Sequence, residues 1–190
     1  PSYPRSQHPA DVKAAHIADL FFNRSFLDPV LRGSYPEDLV SLLNEYGMLP
    51  VSEPEDAALI RDGVVDLLGV NYYQPRRIKC RDSVVNPASP FMPEWFFSAY
   101  EMPGRKMNPY RGWEIYERGI YDILTNLREN YGNPRCYISE NGMGVENEQR
   151  FEKDGKIEDQ YRIDFVREHL KWLHKGISEG SNCLGYHMWT

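Results

Sequence analysis

The sequence predicts an α/β protein built around a parallel sheet. Three observations carry this. From residue 64 onward, short apolar segments alternate with long amphipathic ones in the order strand, helix, strand, helix, strand; such alternation marks βαβ crossovers and a parallel sheet. The first strand segment, VVDLLGVNYY at residues 64–73, is β-branched and barely alternates, the pattern of a strand buried on both faces. Polar and aromatic residues gather at the C-terminal ends of all three strands, which form the ligand face in parallel α/β folds.

Taken in order, residues 1–4 read as loop. A helix starts near Pro9, since proline suits the first helical turn, and Ala14, Ile17, Ala18, Phe21 and Phe22 form its apolar face. Asp28-Pro29 and residues 33–36 read as breaks. A short helix follows with Leu39, Leu42, Leu43 and Tyr46 inward, and another is expected over 55–61. After the first strand comes a long irregular stretch, 74–111, rich in proline and aromatics. Its segment PFMPEWFF at 90–97 is too apolar for disorder and is expected to pack over something.

The next helix shows Tyr116, Ile120, Ile123, Leu124, Leu127 and Tyr131 on one face, and Gly132-Asn133-Pro134 ends it. Residues 135–139 are the second strand, which Asn141-Gly142 breaks. Asp154-Gly155 reads as a turn. The last helix covers about 159–179 with Ile163, Val166, Leu170, Leu173 and Ile177 inward, and Gly180 is a good residue just past its end. Residues 183–189 are the third strand.

The 190 residues suffice for one domain with a sizeable core. The first residue is Pro1 and the last follows an apolar stretch, so both ends read as cut, predicting a single partial domain over 1–190. A net charge of −6 with no basic block argues against nucleic acid, and no apolar run approaches the roughly 20 residues of a membrane helix. Cys80, Cys136 and Cys183 are odd in number and widely spaced, suggesting neither a disulfide framework nor a metal site but reduced thiols in a cytoplasmic protein. His169 and His174, five apart on a helix, do not share a face as a zinc pair would; both are expected on the helix surface. No cofactor is implied, and no Gly-rich phosphate loop follows any strand.

The first strand delivers Asn71-Tyr72-Tyr73, the second Glu140-Asn141, and the third His187, Trp189 and Thr190. A carboxylate at a buried strand end is costly unless hydrogen-bonded or used. Glu140 can therefore serve as a carboxylate nucleophile held ionised by a neighbouring Tyr or Asn. The competing reading is a surface glutamate opening a turn, for which Glu-Asn-Gly is equally suitable, and spacing alone leaves both open.

Residues 136–144, CYISENGMG, resemble the nucleophile motif of glycoside hydrolase family 1 at every position. Phe26-Leu27-Asp28-Pro29 with Gly33-Ser34-Tyr35-Pro36, residues 68–73, Gly112-Trp113-Glu114-Ile115-Tyr116, the stretch 154–170, and residues 185–190 are similar to further segments of that family, in the family's order. Glu117 stands where the family usually has proline. The resemblance covers essentially the whole chain. It implies part of a (β/α)8 TIM barrel, strands six to eight with their helices. It implies that Glu140 is the nucleophile of a retaining β-glycosidase and that Tyr73 donates a hydrogen bond to it. Asn71 would help line the sugar site, Trp189 would lie beneath the reacting ring, and Trp113 would line the aglycone side. For both tryptophans, plain core packing is the alternative.

The departures matter as much. A retaining glycosidase needs a second carboxyl about 5–5.5 Å from the first. The family carries it in an Asn-Glu-Pro motif, which is absent here; Glu53-Pro54 lacks the Asn. The chain alone is therefore expected to be nearly inactive. Residues 186–190, with the opening PSYPRS, look most like the family's bacterial 6-phospho-β-glucosidases. The expected substrate is a small-molecule glycoside, a phosphorylated disaccharide, in the cytoplasm. Plain β-glucosidase and 6-phospho-β-galactosidase activities are the alternatives within the family, and a non-catalytic sugar-binding or assembly module is the alternative outside it. Three strands of a barrel would leave sheet edges and apolar helix faces open, so self-association of the isolated chain is expected.

Overall fold

A computed structural model describes residues 1–189; Thr190, expected at the end of the last strand, lies outside the described residues. In chain order the elements are β1 (Ser2–Pro4), α1 (Pro9–Asp19), α2 (Ser25–Arg32), α3 (Glu37–Glu45), α4 (Asp56–Asp62), β2 (Leu68–Asn71), β3 (Arg76–Lys79), β4 (Ser98–Ala99), α5 (Arg118–Asn130), β5 (Cys136–Asn141), β6 (Glu152–Lys153), β7 (Lys156–Ile157), α6 (Gln160–Ser178) and β8 (Cys183–Met188). The described residues gather into two units, Pro1–Val65 with Arg76–Pro103, and Asp66–Pro75 with those from Gly104 onward.

In the first unit, residues 2–4 form a strand within the stretch 1–4 expected to be loop. Here β1 pairs in parallel with β3, which pairs antiparallel with β4. The expected loop contains a proline at each end, but Pro4 at the end of this short strand keeps its carbonyl free to pair. Helix α1 starts at Pro9, capped by the His8 ring, which accepts the Ala10 N–H at 3.2 Å. Its Ala14, Ala15, Ile17 and Ala18 are buried with Ile78 and Phe97. Asp11 is also buried, yet its oxygens accept the Cys80 N–H at 2.8 Å, Ser6 Oγ at 2.7 Å and Arg5 Nε at 3.1 Å. Those bonds, led by the Cys80 amide, hold its carboxyl well below the usual carboxylate range.

Asp28-Pro29 does not break the chain as expected; α2 runs through it. A π-helical turn over Leu20–Arg24 precedes it. Buried Asp28 pairs one turn back with Arg24 at 2.9 Å and one turn on with Arg32 at 3.6 Å. The real stop is Gly33, at φ 69°. The segment 90–97 packs as expected: Phe91 and Phe96 meet Phe21 and Tyr46, and Phe97 joins the core.

The second unit holds the parallel sheet, in the order β2-β5-β8. Helix α5 precedes β5 and α6 precedes β8, and the two helices pack on each other. The first strand is shorter than expected, Leu68–Asn71, and is not buried on both faces: Gly69 and Asn71 are exposed. Asp154 and Gly155, both at positive φ, turn β6 into β7. Cys136 lies opposite Cys183 on the neighbouring strand, and both are buried free thiols.

Helix α6 faces inward differently from the expectation. Its buried residues are Arg162, Phe165, His169, Leu173 and Gly176, while Ile163, Leu170 and Ile177 are exposed. The close approach to α5 sets this face, since a Cβ on Gly176 would lie 2.8 Å from Leu124 Cδ1. The polar residues are buried because they find partners. Arg162 donates to Met143 O at 3.0 Å and to Asp159 at 2.8 Å, and it pairs with Glu148. His169, expected on the helix surface, is fully buried with Nδ1 donating to Phe165 O at 2.8 Å. Ile163, Val166 and Leu170 instead line an open groove with Met188. Among the described residues no helix is long and apolar enough to cross a membrane.

Candidate active site at the strand ends

The path of β5 sets the geometry. Val70 lies opposite Ile138, but Asn71 lies opposite Glu140, so β5 carries one extra residue, Ser139, at a β-bulge. Strict alternation would place Glu140 on the same side as fully buried Ile138. The bulge resets the phase. Ser139 and Glu140 are both partly exposed, and Asn141 takes the buried side at 0% exposure.

Glu140 then meets the residue two beyond its cross-strand partner. Tyr73 Oη donates to Glu140 Oε2 at 2.8 Å. Burial, and then this hydrogen bond, raise the Tyr73 phenol well above its ordinary value, so it stays a donor across the physiological range. Beside them, Ser139 Oγ donates to Asn71 Oδ1 at 2.7 Å. That bond orients the Asn71 amide by its oxygen.

Trp113 reaches the same place from a loop. Met107 and Glu114 form an isolated antiparallel bridge, and Gly112 turns between them at φ 74°. Buried Asn108 pins this loop: its N–H donates to Trp113 O at 2.7 Å, its Oδ1 accepts the Tyr110 N–H at 2.9 Å, and its Nδ2 donates to Gly144 O at 2.9 Å. The Trp113 ring meets Tyr73 edge-on, with centroids 5.5 Å apart. Trp189 follows β8, and its N–H donates to Asn141 O at 2.9 Å, which ties its backbone one residue from Glu140. The residue is 56% exposed. His187 is exposed and packs against Tyr137 at 5.3 Å.

Asn71, Tyr73, Trp113 and Glu140 are thus brought together, and Trp189 is attached through its backbone. Three residues have structural parts that the sequence does not announce: Ser139, Asn141 and Tyr186. The strand stops at Asn141-Gly142 as expected, but Asn141 itself is its last residue. Its Nδ2 donates to Tyr72 O at 2.7 Å and its Oδ1 accepts Tyr186 Oη at 2.7 Å. Asn-Gly reads as turn chemistry, and that reading masks an asparagine whose amide is fully used inside the sheet. Chemically, the site offers one carboxylate oriented by a phenol, an amide and the Trp113 indole, an arrangement suited to a polyhydroxylated ring.

The chain matches the family model described as glycosyl hydrolase family 1 over residues 1–190. It is 62% identical over 191 residues to the 6-phospho-β-glucosidase GmuD of Bacillus subtilis, covering 100% of this chain and 41% of that protein. It is 34% identical to β-glucosidase A of Acetivibrio thermocellus, covering 99% of this chain and 40% of the relative. The family 1 β-glucosidase structure from Thermotoga maritima superposes with a TM-score of 0.79 at 33% identity, over 99% of this chain and 39% of that one. The chain therefore spans about two-fifths of the length of the relatives it matches. With these structures as neighbours, the parallel strands β2, β5 and β8 are strands six to eight of a (β/α)8 TIM barrel.

Proposed function

Because the chain belongs to glycosyl hydrolase family 1, we propose that this protein is a retaining β-glycosidase acting on 6-phospho-β-glucosides, with Glu140 as its nucleophile. The observation that carries the reading is the 2.8 Å hydrogen bond from Tyr73 Oη to Glu140 Oε2 at adjacent ends of parallel strands. It fixes one carboxylate oxygen and turns the other, Oε1, toward the substrate. In the first step Oε1 bonds to the anomeric carbon as the bond to the aglycone oxygen breaks, and a carboxylic acid donates the proton that the leaving oxygen needs. In the second step the same group, now a carboxylate, takes a proton from water as the water oxygen displaces Glu140. The chain has no Asn-Glu-Pro motif, so the reading assigns that acid/base group to the three-fifths of the relatives' length that this chain does not span.

Asn71, oriented by Ser139, presents its amide to ring hydroxyls. The Trp189 indole supplies an apolar face for the sugar's C–H groups, and Trp113, against Tyr73, borders the aglycone. The phosphorylated substrate is favoured by the 62% identity to a relative named as a 6-phospho-β-glucosidase.

The test is hydrolysis of an aryl β-glucoside and of its 6-phosphate by the full open-reading-frame product, with Glu140→Gln alongside. Preference for the phosphate, lost in Glu140→Gln, is the expected result. Preference for the plain glucoside keeps the mechanism and removes the phosphate. Full activity in Glu140→Gln refutes the nucleophile.

A further inference from the structure

We propose that Asn141 is a positioning residue: its buried side-chain amide locks the ends of β2, β5 and β8 together and thereby sets where Glu140 points. The inference rests on the glycosidase reading above and adds to it a residue that touches neither sugar nor reacting atom.

The geometry leaves the amide one orientation. Tyr72 offers a carbonyl, which only accepts, so the Asn141 NH2 must face it, at 2.7 Å. Oδ1 then faces the other way and accepts the Tyr186 hydroxyl at 2.7 Å. Burial pushes the Tyr186 phenol up to about 12, so it remains protonated and donating. One side chain thus bridges from the residue after β2 to the middle of β8. The main chain closes the same lattice. Tyr72 N–H donates to Glu140 O at 2.9 Å, and Trp189 N–H donates to Asn141 O at 2.9 Å.

Glu140 has Asn141 as its chain neighbour, so its Cα can move only if this lattice opens. Tyr73 follows Tyr72 directly, so the same bridge to the Tyr72 carbonyl also sets the position from which Tyr73 reaches Glu140. The bulge at Ser139 makes such a bridge necessary. An extra residue leaves the ladder locally unpaired, and the strand beyond it needs another tie. No apolar residue at 141 could supply it, because it would remove both the donor to the Tyr72 carbonyl and the acceptor of the Tyr186 hydroxyl.

The test uses the full open-reading-frame product with Asn141→Asp, Tyr186→Phe and Glu140→Gln. Aspartate matches asparagine in shape but changes with pH. Its neutral form can donate an O–H to Tyr72 O, whereas its ionised form repels that carbonyl. Asn141→Asp is expected to lose about 10²-fold in kcat at neutral pH with KM unchanged, as for a small misplacement of a reacting group. The gap to the parent protein should narrow in acid, where the carboxyl is protonated. Because an ionised carboxylate at this buried position also destabilises the fold, the folded fraction is measured by circular dichroism at each pH and kcat is expressed per folded chain; a deficit that disappears on this correction overturns the positioning role. Tyr186→Phe, which removes one hydroxyl, is expected to lose about tenfold in kcat with KM unchanged; it decides the matter by itself if Asn141→Asp does not fold. Parent-like kcat in Tyr186→Phe, or in a folded Asn141→Asp across the pH range, overturns the positioning role while an inactive Glu140→Gln keeps the glycosidase reading. An active Glu140→Gln overturns both.

Discussion

Substituting Gly142 by alanine should displace the main chain of Trp189, which the proposed function places beneath the sugar. Gly142 does not need a left-handed backbone; it needs the absence of a side chain. A Cβ built there would lie 1.2 Å from the Trp189 carbonyl oxygen and 2.4 Å from its carbonyl carbon. A carbon and an oxygen require about 3.3 Å, so the Trp189 main chain would have to retreat by about 2 Å. Both atoms are backbone, so no rotamer change relieves the contact. The retreat would also stretch the 2.9 Å bond from Trp189 N–H to Asn141 O, worth about 1 kcal/mol. Overpacking of this kind costs about 1–3 kcal/mol of stability, and a misplacement of about 1 Å near a reacting centre can cost about 10²-fold in rate. Gly142→Ala in the full open-reading-frame product should therefore lower kcat/KM on an aryl β-glycoside by about 10²-fold or more, with a modest fall in melting temperature. A variant with the parent's kcat/KM and melting temperature would refute the close approach of β8 to Gly142.

Tyr73→Phe removes a hydroxyl that donates to a carboxylate at 2.8 Å, a bond class worth about 1.5–3 kcal/mol; kcat/KM should fall by about tenfold to 10²-fold in steady-state assays, and an unchanged value would separate Tyr73 from the reaction. His169 should make the fold acid-sensitive. It is fully buried, its Nε2 has no hydrogen-bond partner among the described residues, and burial lowers its pKa below the ordinary 6.5. The unfolded chain then binds a proton that the folded chain refuses, so stability falls as pH drops below 6.5 and the loss levels off below the folded-state pKa. Melting curves should show this slope, and His169→Phe should reduce it; an identical slope in the variant would assign it elsewhere. The 190-residue chain expressed alone should self-associate, because Ile163, Leu170 and Met188 line an open apolar groove; a monodisperse monomer in sedimentation would contradict this.

What the sequence made legible was whatever local pattern determines. The order β2, α5, β5, α6, β8, the helix at Pro9, the turn at Asp154-Gly155 and the packing of 90–97 follow from periodicity, proline, glycine and bulk apolarity, whereas the short strands β3 and β4 inside the stretch expected to be irregular do not. What it hid depends on contacts distant in the chain. The inward face of α6 turns on Gly176 meeting Leu124, and no periodicity within α6 contains that fact. His169 and Arg162 look like surface residues until their partners are seen. At the site, strand-end position made Glu140 a candidate and the family resemblance pointed to Tyr73, but the single-residue bulge at Ser139 that brings them together has no sequence signature of its own. Asn141 was obscured by its own chemistry, since Asn-Gly is what a turn also requires.

The central claim is that Glu140 becomes bonded to the sugar. The most direct measurement is mass spectrometry of the full open-reading-frame product after reaction with a 2-deoxy-2-fluoro glycoside bearing a good leaving group, which slows the second displacement so that the glycosyl ester persists. The account predicts one glycosyl unit per chain, mapping to the peptide that contains Glu140, and no label in Glu140→Gln. A glycosyl ester on another carboxylate, or hydrolysis that proceeds undiminished in Glu140→Gln, would contradict it.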